Sequence, residues 1–200
     1  MNPVKEKISQ AFDNVNDDYS PIVEQARRYL KYASLIDLDE SFKMGHQPWE
    51  GPYSFAVTLY QPAKKSWLGK WIPKEYQNFL LTFNGCFIHG FCLYGLPPSM
   101  QRKTPLMNRK VLECLSLQEA NLSWIHGYNV DKNECFHFGG RTYTYEENVG
   151  YFIRNKTNII CARNNGEIIG EWNDFTTFLQ DELEVVEAMM REKTPEDWWS

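Results

Sequence analysis

From Glu134 onward the chain repeats one pattern, a short β-prone run followed by a turn signal. The runs are residues 135–138, 142–145, 149–154, 159–163 and 168–172. Between them stand Gly139-Gly140, Asn148, Asn155-Lys156-Thr157-Asn158 and Asn164-Asn165-Gly166. These residue types supply or tolerate the backbone conformations of tight reversals. Runs this short, joined by turns this tight, pair with their sequence neighbours, so this half predicts an antiparallel meander. After it, Asn173 or Asp174 is placed to cap a long helix. Its inward face would be Phe175, Phe178, Leu179, Leu183, Val186 and Met190, and its outward face Asp181, Glu182, Glu184 and Glu187.

The first half is more mixed. Residues 3–15 predict a short helix with Val4, Ile8, Ala11, Phe12 and Val15 on one side. Ser20-Pro21 opens a second, with Ile22, Ala26, Tyr29, Leu30 and Ala33 on its apolar face,. Residues 37–51 read as loop, and residues 53–60 as a strand in which Phe55, Val57 and Leu59 alternate with more polar neighbours,. Residues 72–85 then form an amphipathic helix with both ends marked. Pro73 suits the first helical position, Tyr76, Phe79, Leu80 and Phe83 share one face, and Asn84-Gly85 supplies a left-handed stop,. Residues 87–94 read as one strand. Ser116-Leu117-Gln118-Glu119 has the form of a capping box,.

The order of an apolar-Pro helix start, Tyr76-x-x-Phe79-Leu80, Asn84-Gly85 and then a strand resembles the SUKH superfamily. The Asp174-Phe175-Thr176-Thr177-Phe178-Leu179 opening of the last helix fits the same pattern. The resemblance covers residues 47–190, with 97–115 matching loosely and 1–46 standing as an N-terminal helical extension of one domain over 1–200. Most bacterial members of that superfamily are immunity proteins that bind secreted toxins, and related fungal members regulate cell-wall synthesis. The resemblance implies structural roles for Trp71, Pro73, Tyr76, Phe79, Leu80, Asn84 and Gly85. It transfers no toxin-facing residue.

The 200 residues suit one domain with a real core, and an aromatic share of 15% favours folding over disorder,. A net charge of −5 makes non-specific affinity for nucleic acid or an anionic membrane unexpected and suits a basic partner,. The N-terminus shows no basic region followed by an apolar run, so no signal peptide is expected and a cytoplasmic location is,. Five cysteines then suggest free thiols in a reducing compartment,.

Two constellations could carry chemistry. Cys86, His89 and Cys92, with Cys135 and His137, have metal-like residue types,. Alternation along a strand points residues three apart to opposite faces, so no metal is expected. A Cys–His hydrolase would need a thiolate beside an imidazole, and no local motif supports one. Gly139-Gly140 beside His137 reads as a hairpin turn rather than a phosphate loop. Gln101-Arg102-Lys103 with Arg109-Lys110 is too short a basic loop to overcome the overall charge.

The reading is therefore an α+β protein with N-terminal helices, a central antiparallel sheet flanked by helices, and a C-terminal helix packed on the sheet. Its expected function is binding without catalysis or cofactor: an immunity protein that occludes a basic cognate toxin. Asp181, Glu182, Glu184, Glu187, Trp198 and Trp199 are the candidate partner-facing residues, and reversing Glu182 and Glu187 is expected to slow association without disturbing the fold. A regulatory module with an endogenous partner, and a small enzyme using Cys86 or Cys135 with a His, are the alternatives.

Overall fold

The computed structural model describes residues 3–36, 41–44, 57–96, 116–142 and 148–192. Helices α1 (Pro3–Asp13) and α2 (Ser20–Arg28) come first, followed by strands β1 (Ser34–Ile36), β2 (Ser41–Met44) and β3 (Val57–Tyr60). Helix α3 (Lys74–Thr82) precedes the short strands β4 (Cys86–Ile88) and β5 (Phe91–Leu93). After α4 (Leu117–Leu122) come β6 (Cys135–Thr142), β7 (Asn148–Arg154), β8 (Asn158–Arg163), β9 (Ile168–Trp172) and α5 (Phe175–Glu192). Among the described residues the strands form a nine-stranded sheet in sequence order. Every neighbouring pair is antiparallel. The fold is α+β, with the meander and the C-terminal helix packed on it.

The two faces of the sheet are filled differently. On one, Phe91, Phe138 and Tyr151 meet Phe178 of α5 at ring-centroid distances of 6.0, 5.5 and 5.0 Å. Tyr76 of α3 meets Phe138 at 5.1 Å. Ile8 and Phe12 of α1 and Ile22 and Ala26 of α2 join the same buried cluster. The other face carries a smaller cluster in which Ile125, just after α4, packs with Cys135, Phe152, Ile160 and Ala162.

The α3 region behaves as its spacing predicts in burial, with Tyr76, Phe79, Leu80 and Phe83 all in the core. Its ends differ. Pro73 is the residue before the helix, and the helix stops at Phe83 in extended backbone; the left-handed residue is Gly85, at φ 97°. Asn84 is wholly buried, so its amide cannot serve as a solvated stop. Its Nδ2 donates to the Leu96 carbonyl (3.0 Å), and its Oδ1 accepts from the Leu96 N–H (2.7 Å). The Tyr76 hydroxyl donates to the Tyr94 carbonyl at 2.5 Å. Both side chains thus fix the segment leaving β5, an irregular stretch whose backbone would otherwise be buried without these bonds. Asn84→Ala removes both amide bonds at once. It should cost about 2–3 kcal/mol in denaturant unfolding, and a variant as stable as the parent would show the clamp to be idle.

Four expectations are corrected. Residues 87–94 are not one strand: β4 and β5 form a hairpin whose turn residues, His89 and Gly90, have φ of 51° and 101°. Both central residues at positive φ is the turn that matches strand twist. Gly139-Gly140 is not a turn, because β6 runs through it with a bulge between His137 and Gly139. A Cβ on Gly139 would lie 2.5 Å from the Cys92 carbonyl oxygen, and one on Gly140 2.5 Å from that of Val149. The glycines are there for close approach of neighbouring strands. Residues 37–51 are not all loop, since β2 falls inside them and pairs with β1 and β3. The second helix stops at Arg28, short of Ala33. Phe55 and residues 143–147 lie outside the described residues, as do 97–115 with their basic loop.

Candidate functional site

Asp174 starts α5. Its two carboxylate oxygens accept from the Thr177 N–H and hydroxyl, each at 2.8 Å, and these bonds hold its pKa below the usual value. Phe178, Leu179, Leu183 and Val186 are buried as expected, and Phe175 is half-buried. The Met190 side chain lies outside the described ones.

The acidic outer face is only half as drawn from the sequence. Glu182 is 4% exposed and points into the sheet. It accepts from Arg141 Nε of β6 at 2.8 Å and from the Tyr151 hydroxyl of β7 at 2.5 Å. Burial, and then the neighbouring Glu182 carboxylate, push the Tyr151 pKa far up. The same two causes raise the Cys161 thiol on β8. Burial opposes the Arg141 charge, but Glu182 outweighs it and the guanidinium pKa rises. Glu187 is also engaged within the fold, accepting from Arg28 at 2.7 and 2.8 Å and from Gln25 at 2.9 Å, both on α2. These two carboxylates tie α5 to the sheet and to α2; Glu182 is buried and so not partner-facing, and Glu187 is half-buried and already engaged.

A signal for Glu182 was present in the sequence. It stands seven residues after Phe175 and four before Val186, which is the buried stripe of the helix. What remains outside is a stripe of Asp181, Glu184, Val185 and Ala188, all exposed. Asp181 is oriented by a hydrogen bond from Trp172 Nε1 at 2.8 Å. Trp198 and Trp199 lie outside the described residues.

The described thiols are distributed over both faces of the sheet. Cys86 faces the main core opposite Leu93, and Cys92 stands one residue on, opposite Phe87. Cys135 belongs to the smaller cluster on the other face. Burial pushes the Cys86 thiol well up and raises that of Cys135. Among the described residues no group of three or more His, Cys, Asp or Glu is arranged to hold a metal. No helix of the described residues is long and apolar enough to cross a membrane.

His137 is 1% exposed and stacks on Phe152 at 4.7 Å, with Tyr94 and Tyr128 edge-on at 5.1 and 5.2 Å. Its backbone, not its ring, carries the local bonds. Asn121 of α4 donates to the His137 carbonyl (2.8 Å) and accepts from its N–H (2.9 Å). The ring nitrogens reach the backbone at Ala120 and Gly139 without forming a well-aligned hydrogen bond. Burial lowers its pKa from 6.5 to about 4, partly opposed by the backbone at Ala120 and Gly139. Between these values unfolded chains take up a proton that native ones refuse, so stability should fall as pH drops through this window,. The contribution, present in full above the upper value and lost below the lower, is about 3 kcal/mol. Unfolding free energies of the parent and His137→Phe should therefore diverge in slope across the window, and parallel curves would refute the assignment.

A surface loop missed by sequence reasoning lies between β3 and α3. It carries Lys64, Lys65 and Lys70 with Trp67 and Trp71, Lys74 opens α3 at its end, and all four lysines are exposed. Trp71, expected to be structural, is 48% exposed and only leans on Phe136 of β6 at 5.7 Å. Its indole lies over Gly69, where a Cβ would come within 2.4 Å of it. The loop backbone is fixed from α3: Gln77 Nε2 donates to the Ile72 carbonyl at 2.8 Å, and Ile72 itself is buried. The readable signal was the alternation of lysine and tryptophan from 64 to 74.

A shallow depression of about 300 Å³ between α1 and α2 is lined by Asp13, Asp17 and Arg27. Arg27 already pairs with Asp13 at 2.5 Å and stands over the Phe12 ring.

Fold and surface together define an α+β protein with an antiparallel meander, a latched C-terminal helix and two exposed charged surfaces of opposite sign. Comparison with protein-family models, curated proteins and solved structures finds no match for this chain.

Proposed function

We propose that this chain is a stoichiometric binding protein of the SUKH immunity kind, which holds a cognate toxin by occlusion. The observation that carries the reading is the outer stripe of α5. Asp181 and Glu184 flank Val185, which is 37% exposed, on a helix fastened from behind through Glu182 and Glu187. A helix held in place before binding loses little further freedom when a partner docks. Carboxylates around a small apolar contact suit a partner with a basic rim, and such rims act mainly on association rate. No residue is asked to do chemistry.

The test uses the C-terminal domain of a secreted protein encoded beside this chain. Calorimetric titration should saturate at one partner per chain. Asp181→Lys with Glu184→Lys should slow association about tenfold with a melting temperature lowered by no more than about 4 °C for the lost Trp172 bond,, and added salt should slow the parent in the same way. Rates indifferent to both changes would remove this face from the interface. Protection by a sub-stoichiometric amount of protein, with turnover of a substrate, would overturn the binding mechanism. Reversing Glu182 and Glu187 does not test the face, because both hold the fold together.

A further inference from the structure

The loop from Lys64 to Lys74 is a second surface, independent of the role given to α5. Lys64, Lys65, Lys70 and Lys74 are exposed, and among the described residues none of them is in an ion pair. Lys64 Nζ stands over the Trp67 ring at 5.5 Å. Trp71 presents almost half its surface to solvent, yet its position is set by Gly69 beneath it and Phe136 beside it. The Ile72 N–H donates to the Gly69 carbonyl at 3.1 Å, which closes the turn under the indole. A half-exposed indole on a fixed backbone gives large contact area at small entropic cost, the property of an interface anchor.

We propose that this loop docks an acidic protein segment, whose carboxylates meet the four ammonium groups while an aromatic or apolar side chain lies against Trp71. Charge decides the sign of the partner, since four cations lie within a chain of net charge −5. Extent decides its class. A bilayer or a nucleic-acid strand would carry its dense negative charge past the loop over a protein whose net charge is −5. A short peptide segment meets the loop alone. A single strand also needs successive stacking platforms, and Trp67 is half-buried beneath Lys64, leaving Trp71 as the exposed ring.

The experiment uses two probes, poly-L-glutamate and a random glutamate–tyrosine copolymer, titrated at low ionic strength. The parent should bind both, the copolymer more tightly. Trp71→Ala should erase the advantage of the copolymer, a loss of about tenfold. Lys65→Glu with Lys70→Glu should weaken both probes about tenfold or more. Lys7→Glu with Lys132→Glu makes the same change in net charge on exposed residues elsewhere and should leave binding within about twofold,. Carbodiimide coupling, which joins amines to adjacent carboxylates, should map to the 64–74 lysines. All variants change exposed side chains, and circular dichroism checks that each is folded. The proposal is overturned if the parent binds neither probe, if the two charge-reversal pairs behave alike, or if coupling maps elsewhere. It is also overturned if vesicles containing anionic phosphatidylglycerol, or a thymidine oligonucleotide, bind more tightly than the copolymer through the same residues.

Discussion

Glu182→Leu should destabilise the protein by about 3–5 kcal/mol, because it strands a buried guanidinium and a buried phenol together. Arg141 and Tyr151 both direct their donors at one carboxylate oxygen, at 2.8 and 2.5 Å, and the Arg141 side chain is only 14% exposed. Water cannot fully replace the lost partner there. Glu182→Gln keeps the shape and one acceptor, so its loss should be smaller but still clear. The decisive comparison is Glu182→Leu with Arg141→Met and Tyr151→Phe. Removing the whole polar set should recover most of the stability, because a well-packed apolar replacement of a buried ion pair is often neutral or better. Urea unfolding of the three proteins measures it. A single Glu182→Leu variant as stable as the parent would mean that the carboxylate contributes nothing as a latch.

Phe79→Ala should cost about 3–5 kcal/mol as a core truncation. The ring is fully buried and meets Tyr19, Tyr76 and Phe175 at centroid distances of 5.8, 5.2 and 5.7 Å. Those partners come from the turn before α2, from α3 and from α5, so the cavity would open where several elements converge. Phe79→Leu leaves less of the space empty and should cost visibly less. Equal midpoints for parent and Phe79→Ala would contradict the packing.

Much of the meander was legible because its turns are written in Asn and Gly and its strands in β-branched and aromatic residues. The exceptions have physical causes. Gly139-Gly140 has turn composition, but the backbone it must accommodate belongs to Val149 on the next strand and to Cys92, which is distant in sequence. His89-Gly90 sits among apolar residues and reads as strand, yet both residues take positive φ. β1 and β2 are three and four residues long and gain their definition from pairing, β1 with β2 and β2 with β3. On α5 the burial stripe and the charge of Glu182 gave opposing signals. Charge suggested solvent, but the position lay on the buried face, and the resolution was a cation and a phenol on strands some 30 to 40 residues earlier. Trp71 differed in the other direction, since the resemblance implied a structural role and the residue is 48% exposed.

The strands are laid down in the order in which they are made, but the helices that cover them are not. Thr176 of α5 donates to the Asp18 carbonyl before α2, and Glu187 holds Arg28 and Gln25 on α2 itself. During synthesis a ribosome can therefore release hairpin after hairpin, each finding its neighbour already present. The aromatic face carrying Phe91, Phe138 and Tyr151 must nevertheless wait for the last helix to emerge. Until then the nascent chain holds a nearly complete sheet whose aromatic side is covered only in part by the earlier helices, the state in which capture by a chaperone, or by a sister chain on the same messenger, competes with folding,.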